Sequence, residues 1–255
     1  MATFTINVLS KAHSELLKNI KDYKDAEEWA VTNKRFVAFL DILGFKELVL
    51  RSTHEEIYNK LSEISNLKDD ISPKILDSSF SNENTKPIEI ITFSDSIIIF
   101  SKNDSLESFK VFIEALNWVF SRIIENKIAI KGAFAHGEIS VDIKKQIYFG
   151  QALIDAYLLQ EDVDYLGVVA HHSIDNFISL NKLSDLSDLL IEMPTPLKSG
   201  KITQNNLNYF PFIVYKDAEK MLDHFAAFKL TMSGRPKKYL ENSINFYHEY
   251  LKLLK

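Results

Sequence analysis

Two aspartates stand where an isolated charge is out of place. Asp41 is the only charged residue between Phe36 and Phe45 in the run Arg35-Phe-Val-Ala-Phe-Leu-Asp-Ile-Leu-Gly-Phe45. Asp95 lies in Thr92-Phe-Ser-Asp-Ser96, between the β-branched runs Ile88–Phe93 and Ser96–Phe100. Burying an unpaired carboxylate costs several kcal/mol, which pairing or a metal ion offsets. Two carboxylates within ~4 Å of each other repel, and a divalent cation keeps both ionised. Hard oxygen donors select Mg²⁺ or Mn²⁺ over zinc. Gly44 stands three residues after Asp41 and opens a helical pattern, where leading backbone N–H groups can face an anion. Asp41 and Asp95, with Gly44 beside them, thus suggest a metal–phosphate site. Taken singly, each aspartate also fits a helix cap or a turn residue.

The elements that must position this pair are readable in outline. Continuous apolar character over residues 35–45 predicts a strand buried on both faces. Helical spacing runs from Phe45 to about Leu67, and residues 68–87, with Pro73 and Pro87, read as a loop. The two runs around Ser94-Asp95 predict a hairpin. Residues 105–126 read as helix, Ile128–Val141 and Gln146–Phe149 as strands, Gly150–Glu161 as helix, Leu166–Ala170 as strand and Ile174–Leu190 as helix. Residues 191–208 look irregular, Tyr209–Tyr215 reads as a last strand, and helices at 217–228 and 236–254 close the chain. The central order is βαββαβ, a ferredoxin-like α+β sheet in which the first strand and the central hairpin are neighbours. An amphipathic pattern over residues 10–30 predicts an N-terminal helical extension (1–30) ahead of one domain at 31–255.

Composition removes other classes. Only 7 of 255 residues are glycine, and none is arranged as G-x-G-x-x-G or as a P-loop. A formal net charge of −5 gives no basic footprint for nucleic acid. Without cysteine there is no disulfide, thiolate metal site or cysteine nucleophile. No apolar run approaches the ~20 residues of a membrane span, and the start lacks a signal-peptide pattern. The expectation is a soluble, cytoplasmic protein. His171-His172 follow a predicted strand, and adjacent strand residues point to opposite faces, which makes them a poor metal pair.

Four segments in order resemble class III nucleotidyl cyclases. Phe39-Leu-Asp-Ile-Leu-Gly-Phe45 resembles the element that opens their catalytic domain, and Phe93-Ser-Asp-Ser96 the hairpin that carries their second metal-binding Asp. Lys131-Gly-Ala-Phe-Ala-His-Gly137 is similar to their R-I-G-I-H-x-G strand, and the segment Phe149 to Gln160 to their G-x-x-V-N-x-A-A-R-L helix. The resemblance implies that Asp41, Asp95 and the Ile42 carbonyl hold two ions, Mg²⁺ or Mn²⁺. It implies that Gly44, Phe45, Lys46 and Ser94 contact the substrate, with Lys131 a candidate for the positive charge missing elsewhere. It also implies a homodimer.

Where adenylyl cyclases read the base, this chain has Ile91 and Ile147. Where the family carries its transition-state Asn and Arg, it has Ile154 and Leu158. Asp41-Ile-Leu-Gly-Phe-Lys46, Ser94-Asp-Ser96, Lys131-Gly-Ala133 with Gly137-Glu138, a helix of the form Gly150…Ala156-Tyr-x-Leu159 and the closing Lys238-Tyr-Leu-Glu-Asn-Ser-Ile-Asn-Phe246 resemble the pyrimidine cyclases of the Pycsar antiphage system. That branch converts UTP or CTP, here UTP ahead of CTP, to a 3′,5′-cyclic nucleotide that activates a separate effector. The alternatives are a purine cyclase with unusual base contacts and an inactive domain that binds a nucleotide or a partner.

Overall fold

A computed structural model describes residues 18, 28–76, 86–184, 186–213, 218–228 and 236–254. Its strands are β1 (Thr32–Ile42), β2 (Ile88–Phe93), β3 (Ser96–Ser101), β4 (Ile130–Asp142), β5 (Ile147–Phe149), β6 (Val168–Ala170), β7 (Leu190–Leu197) and β8 (Gly200–Leu207). The helices are α1 (Phe45–Arg51), α2 (His54–Leu76), α3 (Leu106–Glu125), α4 (Gln151–Asp162), α5 (His172–Leu180), α6 (Ala218–Phe228) and α7 (Pro236–Leu253). All strands join one sheet in the order β2-β3-β1-β4-β6-β8-β7, with β5 on the far part of β4. The first four strands follow the order of a ferredoxin-like sheet. Only β6 runs parallel to its neighbour β4.

Alternation along β1 sorts its residues between two layers. Phe36, Ala38, Leu40 and Ile42 enter the larger core with Phe109, Phe112, Leu116 and Phe120 of α3. Val37 faces the other way, against Ala135 of β4 and Ala152 and Ala156 of α4. Ala152, Ala156 and Gln160 fall four residues apart and are the buried stripe of α4. Their small side chains let the helix lie close on the sheet: a Cβ built on Gly137 would meet the Ala152 Cβ at 3.4 Å. α3 starts from Ser105, whose hydroxyl accepts from Ser108 N–H at 3.1 Å, an N-cap of the ordinary kind.

Several sequence expectations change. The helix after β1 is broken at Ser52, and its second part continues to Leu76 through residues read as loop. The stretch 191–208, read as irregular, is the β7–β8 hairpin. Pro194 and Pro196 hid it, yet β7 is an edge strand, where a missing N–H does no harm. Where the sequence predicts a final strand at Tyr209–Tyr215, the described residues 209–213 hold a 3₁₀ turn at Phe210–Phe212, and 214–215 lie outside the described residues. α5 ends at Leu180 rather than Leu190, its Asn181 cap N–H returning to Phe177. Of the N-terminal extension (1–30), only Lys18, which is helical, and residues 28–30 are among the described residues.

Gly150, ahead of α4, adopts φ +152, and a Cβ there would stand 2.6 Å from the Glu138 carbonyl and 2.7 Å from Ile139 Cα. Gly150→Ala is expected to lower stability by roughly 2–3 kcal/mol through backbone strain and overpacking. A shift of the urea midpoint at unchanged slope checks this, and an unshifted midpoint contradicts it.

Candidate active site

Asp41 is the next-to-last residue of β1. Its cross-strand partners are Ser96 on β3 and Lys131 on β4. By alternation its side chain shares the α4 side of the sheet with Val37 and Phe39. Asp95 occupies the β2–β3 turn, next to Ser94, which adopts φ +57. A non-glycine residue in this region is uncommon and marks a tight, constrained turn. The Ile42 N–H donates to the Asp95 carbonyl at 2.9 Å, which pins the hairpin tip to the end of β1.

The two carboxylates therefore feel each other. Burial, reinforced by the Asp95 charge, raises the Asp41 carboxyl to about 6; Glu161 adds to the rise, and Lys131 and Lys198 oppose it. A carboxyl under this pressure suits a divalent cation, which would replace repulsion with shared attraction. Among the described residues no group of three or more His, Asp or Glu side chains forms a cage. Two carboxylates and a carbonyl are the sparse donor set that Mg²⁺ shares with substrate phosphates, so Asp41, Asp95 and the Ile42 carbonyl fit such ions.

The chain turns immediately after the pair. Leu43 N–H donates to the Ala129 carbonyl at 2.8 Å, and Gly44 then adopts φ +76 as the N-cap of α1. Only open space surrounds a Cβ built on Gly44, so its requirement is conformational rather than steric. Phe45 packs on the larger core, while Lys46 and Ser94 are exposed.

Lys131 is buried. Its ammonium donates to the carbonyls of Gln160 at 2.7 Å, Val163 at 3.1 Å and Glu161 at 3.2 Å. Burial, with the neighbouring Lys198 charge, lowers its pKa to about 8.

Lys198 was not visible as a site residue in the sequence. It is exposed on the β7–β8 turn, inside the stretch read as irregular, and its charge acts on both Asp41 and Lys131. The turn-forming Lys198-Ser-Gly200 between the two strands was the available signal.

Ile154 and Leu158 lie on the outward side of α4 and are 51% and 59% exposed. Tyr157 on the same helix is 45% exposed, and Phe149 beside its start 61%. Ile91 is half-buried and packs on the second core, and Ile147 is exposed on β5. Lys238, in the first turn of α7, pairs with Asp164, and Arg235 lies outside the described residues. His171 and His172 do not diverge as strand residues would. They sit at the start of α5 with ring centroids 3.9 Å apart, and His171 caps the helix.

No protein-family model matches the chain, and no curated protein matches it. Solved structures do. The guanylyl cyclase domain of a rhodopsin fusion protein from the aquatic fungus Blastocladiella emersonii is 12% identical over 71% of this chain and 98% of its own, with a TM-score of 0.52. The catalytic core of a rhodopsin-guanylyl cyclase with converted specificity, in complex with ATPαS, is 11% identical over 71% and 96%, with a TM-score of 0.49. A class III adenylyl cyclase-like ATP-binding protein from Pseudomonas aeruginosa is 13% identical over 74% and 42%, with a TM-score of 0.38.

A raised carboxylate pKa makes a definite stability prediction. The folded chain binds a proton on Asp41 more tightly than the unfolded chain does, so stability falls as pH rises from about 4 to about 6 and stays reduced above. Asp41→Asn is expected to gain roughly 2–3 kcal/mol at pH 8 in the absence of divalent ions, with the gain vanishing near pH 4. Denaturant curves at the two pH values test this, and a variant less stable at pH 8 contradicts it. Taken with the sheet order and the layers around it, the chain has the α+β fold of a class III cyclase catalytic domain.

Proposed function

We propose that the chain is a nucleotidyl cyclase that converts a pyrimidine nucleoside triphosphate, UTP ahead of CTP, to its 3′,5′-cyclic nucleotide and pyrophosphate. The observation that carries the reading is the Asp41–Asp95 pair at one end of a cyclase-type sheet. Residues 31–255 act as the catalytic domain and 1–30 as a helical extension. In keeping with the resemblance to the antiphage branch, the product signals to a separate effector, in the cytoplasm.

Asp41, Asp95 and the Ile42 carbonyl would hold two Mg²⁺ or Mn²⁺ ions, which supply charge neutralisation and acidify the ribose 3′-hydroxyl. The chain's own groups bind and orient. Leading N–H groups of α1, at Phe45 and Lys46, have no intrahelical acceptor and suit phosphate oxygens. Gly44 brings that backbone close, Ser94 borders the hairpin carboxylate, and Lys46 and Lys198 add exposed positive charge. Lys131 adds positive charge from below, its protons held by carbonyls. The 3′-oxygen loses its proton and attacks the α-phosphorus in line. The new O–P bond forms as the bond to the bridging oxygen breaks, and pyrophosphate leaves with the electron pair.

Base choice is supported by Ile91 and Ile147, which offer no hydrogen bond where purine cyclases use polar side chains. A site lacking such a partner gives up roughly 1–3 kcal/mol of purine recognition. The homodimer is supported by Ile154, Tyr157, Leu158 and Phe149, a contiguous apolar set on and beside α4 that a second copy would cover. The apolar identities of Ile154 and Leu158 also favour a second reading, a domain that binds nucleotide without turnover.

Incubation of the purified protein with each of the four NTPs and Mn²⁺, followed by mass spectrometry, separates these readings. Cyclic UMP or cyclic CMP is expected, falling to background in Asp41→Ala and Asp95→Ala. Cyclic AMP or GMP alone would replace the pyrimidine assignment with the purine one. Binding without turnover would establish the inactive reading.

A further inference from the structure

Lys131 carries a second role. Its ammonium lies across the sheet ladder from Asp41 and is 2% exposed as a residue. An ammonium has three protons, and here three carbonyls at the end of α4 surround it. Terminal carbonyls of a helix have no N–H of their own and carry the negative end of the dipole, so a cation is favoured there. The ring of Tyr239, from α7, faces the same ammonium at 5.4 Å from its centroid. Lys131 therefore cross-links β4, the end of α4 and α7 at one point.

The same end of α4 holds the β7–β8 turn. Lys198 N–H donates to the Asp162 carbonyl at 2.7 Å, and Ser199 N–H donates to Asp162 Oδ1 at 2.9 Å. The Ser199 hydroxyl donates to the other carboxylate oxygen of Asp162. Val163, whose carbonyl Lys131 occupies, forms a β-bridge with Leu197. Moving the end of α4 would move Lys198, the exposed cation that acts on Asp41.

We infer that Lys131 is a positioning residue: by clamping the end of α4 it fixes, through Asp162, where Lys198 stands relative to the Asp41 strand. The inference rests on the reading of Asp41 as part of a nucleotide site, but its first test does not need that chemistry. Hydrogen exchange on Lys131→Met should show amides of residues 160–166 and 198–199 exchanging roughly 10- to 100-fold faster, with β1 unchanged. In turnover, Lys131→Met and Lys198→Ala should each raise KM more than they lower kcat, and the double variant should be no worse than Lys198→Ala. Asp162→Ala leaves Lys131 in place and frees the turn, so it should reproduce the KM effect. It also decides the matter if Lys131→Met fails to fold. Unchanged exchange at 198–199, or effects of Lys131→Met and Lys198→Ala that add in full, would overturn the inference and make Lys131 a direct ligand. Absent turnover in the wild type would remove the cyclase reading while leaving the exchange result to judge this one.

Discussion

Mutual repulsion of two carboxylates at the end of a buried strand is the constraint around which this molecule is arranged. Among the described residues, neither Asp41 nor Asp95 forms an ion pair. They are held together by the backbone: β1 pairs with β3 up to Asp41–Ser96, and one further bond, from Ile42 N–H to the Asp95 carbonyl, carries the ladder into the turn. The core behind β1 gives that ladder its stiffness, with Phe36, Ala38 and Leu40 packed on the aromatic rows of α3. A site of this kind is less stable empty than loaded, which is the usual relation between a functional constellation and its fold.

Positive charge is distributed around the pair rather than in contact with it. Lys131 is fixed by carbonyls, and Lys198 stands on a hairpin clipped to Asp162. Cations set back from the carboxylates temper the repulsion without neutralising it, which leaves room for the divalent partner proposed above. The outward side of α4, by contrast, is apolar at Ile154 and Leu158. In the proposed function, any charge needed there would come from elsewhere, from the surface proposed to cover α4.

The sequence reading reached furthest where periodicity and chemistry agreed. β1, the β2–β3 hairpin and α3 were legible because their apolar runs have the length and spacing of buried elements. Asp41 was legible as the lone acid of its apolar run, and Asp95 as the acid at the tip between two β-branched runs. β7 and β8 were obscured by Pro194, Pro196 and a polar composition that an edge hairpin tolerates. Lys198 was lost with them. The surroundings of Lys131 could not be read at all, since its acceptors are main-chain carbonyls about 30 positions away, and such acceptors leave no mark on side-chain identity. Neither the register that sets Asp41 beside Lys131 nor the clamp could be read from the sequence.

The central claim is that Asp41 and Asp95 share a divalent cation. The most direct measurement is a ¹³C NMR titration of the aspartate carboxyl carbons with and without Mg²⁺. The account predicts that Asp41 titrates near 6 in the absence of the ion. It also predicts that Mg²⁺ moves that titration downward and is itself released as Asp41 takes up its proton. An Asp41 carboxyl with an ordinary pKa, indifferent to Mg²⁺, would contradict it.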